Sequence, residues 1–119
     1  MYKKSYKYNI VLYIIIMFKI QKVGNIYTKY MMRIINNELV LIQWNPKVRT
    51  TIHNHGGKDC DFYLLGGTLN EVKYKNQNIG SLTTSQRITS FRKNTVEKSE
   101  YHQIFNFDNK TKWSFHRYY

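Results

Sequence analysis

From Glu38 onward the sequence is a succession of short apolar or alternating segments separated by turn residues. The segments are ELVLIQW, RTTIHNH, CDFYLL, TLNEVKY, RITSF, YHQIFNF and TKWSFHRY. They are separated by NPK, a glycine pair, KNQNIGS and DNK, which are typical of turns and loops. The glycine pair between CDFYLL and TLNEVKY predicts a β-hairpin. About six or seven short strands at this spacing predict an all-β fold, an antiparallel barrel or sandwich.

The composition favours the same fold class. Aromatic residues make up 16% of the 119 residues, and proline and cysteine each occur once. Aromatic and β-branched side chains favour pleated strands. The length suits one domain with a single modest core. Because a lone cysteine forms no internal disulfide, we expect a reducing compartment, the cytoplasm.

The chain is strongly basic, with a formal net charge of +12. A balance of this kind attracts polyanions, and a basic module that binds nucleic acid or an acidic surface is one open hypothesis. The lysines and arginines are scattered over the whole length, however, and form no basic helix or arginine-rich tract. We therefore expect no nucleic-acid partner, and we expect a monomer.

The N-terminal part is basic and then apolar. MYKKSYKYN is followed by the apolar run Ile10–Phe18. A membrane helix needs about 20 apolar residues, so this run is too short to span a bilayer. The small residues of a signal-peptide cleavage site do not follow it. We expect no membrane contact, and we predict a buried strand or short helix within an N-terminal segment of residues 1–26.

Two histidines one residue apart are candidates for a metal site. On a strand, His53 and His55 would point to the same face, where two imidazoles can share a divalent ion. His102 lies on a plausible neighbouring strand, YHQIFNF, and is the candidate for a third ligand. Considered alone, the pair is also compatible with surface histidines on an edge strand.

The residues that follow the histidine pair extend this pattern. Four residues separate His55 from Cys60, and six separate Cys60 from Gly67. This spacing resembles the first motif of the cupin superfamily, with cysteine where a glutamate ligand usually stands. The stretch HQIFN, residues 102–106, resembles the H-x-x-x-N that closes the second cupin motif.

Three further stretches resemble one branch of the cupins, the cysteine dioxygenases. Residues 44–74 are similar to the signature of that family over most of their length, and SFHRY matches its S-x-H-x-Y. YTKYMM, which begins at Tyr27, resembles a YTR stretch that lines the substrate pocket. The resemblance implies a small antiparallel cupin jelly-roll barrel over residues 27–119. By comparison with the family, we expect the chain to be shortened at both ends.

The resemblance also implies a chemistry. Three neutral imidazoles, here His53, His55 and His102, would bind one Fe(II), a metal that imidazole suits. The substrate would be L-cysteine, which together with O2 gives cysteine sulfinate. With Cys60 in place of a glutamate ligand, the site keeps its full dicationic charge and favours an incoming thiolate. The resemblance thus implies an iron oxidoreductase of cysteine catabolism.

The same resemblance assigns supporting roles to four more residues. Cys60 and Tyr118 match the positions that the family joins by a thioether, His116 would orient Tyr118, and Ser114 would hold His116. Outside this context, Cys60 could equally be a small buried hydrophobe and Tyr118 a surface aromatic.

The substrate pocket departs from the family pattern. Tyr27 matches a pocket tyrosine, but Lys29 stands where the family has arginine, and lysine makes no planar two-pronged contact with a carboxylate. Arg33, four residues on, is a possible substitute. Weaker binding of cysteine, or preference for another small thiol, is therefore open, as is a degenerate cupin that binds metal or a small ligand without turnover.

Overall fold

The protein is described by a computed structural model that covers residues 18–34 and 37–119. The predicted strand or helix in the apolar run lies outside these residues, apart from Phe18. The described residues form ten strands: β1 Phe18–Val23, β2 Tyr27–Ile34, β3 Asn37–Trp44, β4 Val48–Arg49, β5 Cys60–Leu64, β6 Thr68–Tyr74, β7 Leu82–Thr89, β8 Asn94–Val96, β9 Tyr101–Asn106 and β10 Lys112–Tyr118. Among the described residues, no helix has the length and apolar character that a membrane crossing requires.

The strands form two antiparallel sheets, which confirms the all-β prediction. One sheet has the order β1-β2-β3-β10-β5-β8, and the other has the order β4-β9-β6-β7. Alternate residues of each central strand point into the core, as in β10, where four buried residues alternate with three exposed ones. The core cluster contains Val40, Ile42, Trp44, Cys60, Phe62, Leu64, Leu69, Ile88, Val96, Ile104 and Tyr118.

The predicted hairpin at the glycine pair is wrong. CDFYLL and TLNEVKY form β5 and β6, but these strands lie in different sheets. β5 pairs with β10 on one side and β8 on the other, so both of its edges are occupied. Gly66 and Gly67 have φ values of +139° and +72°. Such angles suit glycine, and here they turn the chain from one sheet to the other.

The strand predicted for RTTIHNH is present only at its start. Arg49 pairs with Phe105 in β9, but the backbone N–H of Ile104 then donates to the Thr50 side-chain hydroxyl at 3.0 Å. This side-chain contact interrupts the ladder. Pairing resumes at an isolated bridge in which His53 and His102 exchange backbone hydrogen bonds of 3.0 and 2.8 Å. The bridge fixes one predicted ligand directly opposite another.

β1 and β2 form a hairpin that widens the six-stranded sheet. Residues 24–26 connect the two strands, and the predicted domain boundary between residues 26 and 27 falls at the end of this connection. That boundary stays a prediction.

Candidate metal centre

The three predicted metal ligands lie together. His53, His55 and His102 each offer a ring nitrogen, and these atoms lie within 4.8 Å of one another. The Nε2 atoms of His55 and His102 face each other at 3.0 Å. His102 comes from β9, and the other two come from the irregular segment beside it. The backbone bridge between His53 and His102 holds the two elements together.

Two of the rings are oriented by acceptors in the protein. The backbone carbonyl of Thr51 lies 2.7 Å from His53 Nδ1, and a carbonyl only accepts, so His53 Nδ1 carries the proton. Glu71 Oε2 lies 2.9 Å from His102 Nδ1 and accepts a hydrogen bond from its N–H. In both rings, Nε2 is left as the atom available to a ligand. Metal-binding histidines are commonly oriented in this way.

The third ring, that of His55, has no such acceptor in the part of the chain that the structure describes. His55 Nδ1 is buried and has no hydrogen-bond partner among the described residues. Two nitrogens bound to one ion at about 2.1 Å and at right angles are about 3.0 Å apart. This value equals the separation of the Nε2 atoms of His55 and His102. The donor set of three imidazoles therefore fits a divalent ion such as Zn²⁺ or Fe²⁺.

Burial lowers the pKa values of His53 and His55. Desolvation, followed by the charge of His102, lowers the pKa of His53 to about 4. The same two causes lower the pKa of His55 to about 3. Both imidazoles are therefore neutral near pH 7, the state in which they bind metals.

Glu71 is a site residue that sequence reasoning missed. Its side chain is 1% exposed and accepts hydrogen bonds from His102 and, at 2.7 Å, from Gln86 Nε2. Burial raises its pKa, but the hydrogen bond from His102 and the charges around it outweigh burial, so the pKa is lowered. The sequence signal that could have identified Glu71 is its position two residues after Leu69, which places its carboxylate on the same inward face of β6.

A chain of hydrogen bonds runs along β10 toward Cys60. Trp44 Nε1 donates to Ser114 Oγ at 2.8 Å, and Ser114 Oγ lies 2.6 Å from His116 Nε2. Because the indole only donates, the hydroxyl proton of Ser114 is free to point at His116 Nε2. The His116 proton then sits on Nδ1, which lies 3.7 Å from Cys60 Sγ. Burial holds the pKa of His116 well below its usual value, so the ring is neutral.

Cys60 and Tyr118 are cross-strand partners on β5 and β10. Both are buried, and their side chains interact: burial raises the pKa of Cys60 to about 12 although a hydrogen bond with Tyr118 opposes it. Burial also raises the pKa of Tyr118. The Tyr118 ring lies 5.0 Å from the ring of His55 and 6.0 Å from that of His116, measured between centroids. The predicted trio and the histidine cluster thus share one region.

A cavity of about 300 Å³ opens beside these groups. Its lining includes the three clustered histidines, Tyr118, and the predicted substrate residues Tyr27 and Lys29. Lys29 Nζ lies 5.6 Å from the centre of the Tyr27 ring, and burial lowers its pKa while Glu38 opposes that shift. Among the described residues that line the cavity, Arg33 does not appear. Its Nη2 lies 3.8 Å from Glu38 Oε2, and its side chain is 55% exposed. Lys29 and Lys58 both line the cavity, and Lys58 Nζ pairs with Glu38 Oε2 at 3.4 Å.

The sequence matches no protein-family model and no curated protein. The structure is similar to that of oxalate oxidase, with a TM-score of 0.69 and 10% identity over 82% of this chain and 52% of that one. The cupin domain of Schizosaccharomyces pombe Cnp3 gives 0.67 and 10% over 84% and 62%. Lactobacillus farciminis oxalate decarboxylase gives 0.70 and 11% over 85% and 30%.

At these identities the similarity concerns the fold. The chain has the cupin fold, as predicted, and spans about half the length of the oxalate oxidase it matches. It combines this fold with a cluster of three histidines that can hold a metal ion.

Proposed function

We propose that this protein is an iron-dependent thiol dioxygenase that transfers both atoms of O2 to the sulfur of L-cysteine, giving cysteine sulfinate. The observation that carries this proposal is the junction of two groups in one cavity. Three imidazoles converge there, and the Cys60–Tyr118 pair with His116 lies beside them.

His53, His55 and His102 would hold the ferrous ion. When bound, that ion would supply positions at which a thiolate and O2 meet, together with the charge that favours the thiolate. Glu71 stabilises the site by accepting a hydrogen bond from the Nδ1–H of His102. Cys60 stands where a carboxylate ligand would be and contributes none, so no anionic protein ligand would offset the charge of the ion.

Lys29 would bind the carboxylate of the substrate, with Tyr27 beside it. A lysine offers a point charge and holds the carboxylate through one contact. Lysine therefore orients the substrate less tightly than arginine would. Thiols without an amino acid carboxylate are then excluded less strictly. A dioxygenase of another small thiol is therefore the main alternative within the same chemistry.

His116 and Cys60 would position the Tyr118 phenol at the cavity. The Trp44–Ser114 pair fixes the His116 ring, and His116 Nδ1 points toward Cys60 Sγ. A thioether between Cys60 Sγ and a Tyr118 ring carbon, formed with loss of one hydrogen from each side chain to O2, would lock the phenol in place. This link would lower the mass of the protein by two hydrogen atoms.

The test is a turnover assay of purified protein loaded with Fe(II), supplied with O2 and L-cysteine. Mass spectrometry follows cysteine sulfinate, and anaerobic calorimetry follows Fe(II) binding in parallel. We expect product from the wild type, and neither product nor Fe(II) binding from a folded His102→Ala variant.

Two results would overturn the proposal in different ways. Absence of Fe(II) binding would remove the metal centre altogether. Binding without product from L-cysteine, 3-mercaptopropionate or 2-aminoethanethiol would leave a cupin that binds metal and performs no thiol oxidation.

A further inference from the structure

The outer face of the six-stranded sheet carries a continuous apolar row. Successive cross-strand partners in this row belong to β1, β2, β3, β10 and β5, in that order across the sheet. They are Ile20, Tyr30, Leu41, Phe115 and Tyr63. Their neighbours along each strand point to the opposite face, toward the core and the cavity. This row carries no charge.

Two further rows flank it on the same face. One contains Phe18, Met32 and Leu39, and the other ends at Trp113, whose ring stacks on Tyr30 at 6.0 Å between centroids. Five of these side chains are exposed: Ile20 by 58%, Phe18 by 53%, Phe115 by 38%, and Tyr63 and Trp113 by 36% each. The other four, Tyr30, Met32, Leu39 and Leu41, are half-buried. We call these three rows the outer face.

The outer face is nearly neutral in a protein of net charge +12. Its charged members are Lys22, Arg117 and Asp61, a net charge of +1 from two cations and one anion, and Lys93 at its edge lies 3.8 Å from Asp61. Arg117 and Asp61 also pair with each other at 3.4 Å. Polyanions and anionic lipid need a cationic surface, which this face does not offer. An apolar partner of low charge suits it.

The size of the outer face sets the strength of such an association. Five strands and three rows cover roughly 24 Å by 20 Å, about 500 Å². Burying this area on two molecules removes about 1,000 Å², below the roughly 1,200–2,000 Å² of stable complexes. The face therefore suits a weak, reversible contact.

We infer that the outer face packs against the same face of a second copy, so that the chain forms a reversible homodimer. Two such sheets would stack about 10 Å apart with their apolar side chains interleaved. A two-fold axis parallel to the sheets and midway between them brings the same patch of each copy together. Most of the net charge then lies away from the contact. This proposal is independent of the enzymatic one and differs from the monomer expected from the sequence.

Sedimentation velocity on the full chain from about 1 to about 500 μM tests this inference. We expect the sedimentation coefficient of the wild type to rise toward that of a dimer. Phe115→Lys, at the centre of the row, should weaken dimerisation at least ten-fold. Ile79→Lys makes the same change in charge at a residue that is 74% exposed outside the outer face, and should leave dimerisation unchanged.

Circular dichroism checks that each variant is folded, and Tyr63→Lys repeats the test should Phe115→Lys not fold. A wild type that is monomeric over the whole range would overturn the inference, as would a dimer that folded Phe115→Lys or Tyr63→Lys leaves intact. Binding of monomeric wild type to phosphatidylcholine–phosphatidylserine vesicles that folded Phe115→Lys abolishes would assign the face to lipid and overturn it as well.

Discussion

The buried carboxylate of Glu71 orients one of the three ring nitrogens of the metal centre. Glu71→Gln keeps the size of the side chain but removes its charge, so His102 loses its anionic partner. Loss of such a partner commonly weakens metal binding by about 10–100-fold. We expect a decrease of this size in anaerobic Fe(II) titrations. Glu97→Gln, at an exposed position, is the matched control; unchanged affinity in folded Glu71→Gln would contradict the role assigned to Glu71.

Ser114 is fully buried and joins two other buried side chains. Its hydroxyl accepts from Trp44 Nε1 and lies 2.6 Å from His116 Nε2. Ser114→Ala leaves both groups without this partner, at a cost of roughly 1–3 kcal/mol in the free energy of unfolding. Urea unfolding measures the loss. Ser85→Ala, at an exposed position of β7, should leave the midpoint nearly unchanged, and equal midpoints for the two variants would contradict this account.

At the scale of elements, the crossing between the two sheets depends on Gly67. Its φ is +72°, and a Cβ there would lie 2.5 Å from Lys112 Nζ. Lys112 is itself buried and paired with Asp108 at 2.7 Å, so a shift of its side chain would disturb this ion pair. Gly67→Ala therefore combines backbone strain with a clash.

Gly24 provides the matched control for this substitution. Its φ is +51°, and a Cβ there would meet nothing within 4 Å. Gly24→Ala costs about 1 kcal/mol of backbone strain, and Gly67→Ala should cost at least about 1 kcal/mol more. Thermal and urea unfolding of the two variants give the difference. A smaller loss at Gly67 than at Gly24 would show that Lys112 yields freely.

Local pattern predicted most strands after Glu38 but neither β1, β2 nor β8, and it predicted the partners of the strands poorly. The alternation in β3, β9 and β10 is visible in the sequence because each strand has one face in the core. The glycine pair predicts a sharp turn, but the sheet that the chain joins next depends on β8 and β10, which occupy both edges of β5. These partners lie far along the sequence, and no turn motif records them.

The histidine cluster was predictable as a set, but its geometry was not. His53 and His55 converge although most of their segment is not strand, because Thr50 interrupts the ladder and the bridge to His102 restores it. The role of Glu71 was not predicted because a carboxylate in a strand is ordinarily expected to face solvent. Its inward direction follows from its position two residues after the buried Leu69 on β6.

The stability of the whole molecule should depend on the protonation of its buried histidines. The pKa of His53 is about 4 and that of His55 about 3, and burial also lowers that of His116, against about 6.5 in the unfolded chain. The unfolded state therefore binds more protons below pH 6.5. By linkage, stability is full above that pH and is lost as the pH falls toward about 4.

Urea unfolding of metal-free protein in the presence of a chelator, from about pH 7 to about pH 4.5, measures this dependence. His55→Gln removes one of the groups, and its slope of unfolding free energy against pH should be smaller by up to about 1.4 kcal/mol per pH unit. Parallel slopes for wild type and variant would contradict the assignment of a neutral, buried His55.

The position of β10 between β3 and β5 also governs the order in which the molecule can fold. Among the described strands, β10 alone links β1, β2 and β3 to β5 and β8 in that sheet. Trp44 on β3 and Ser114 on β10, which are joined by a hydrogen bond, lie 70 residues apart in the sequence. Contacts of such separation form slowly. Until β10 inserts, β3 and β5 present open edges that invite pairing with other chains. The strand that carries His116 and Tyr118 to the cavity therefore also protects the folding protein from aggregation.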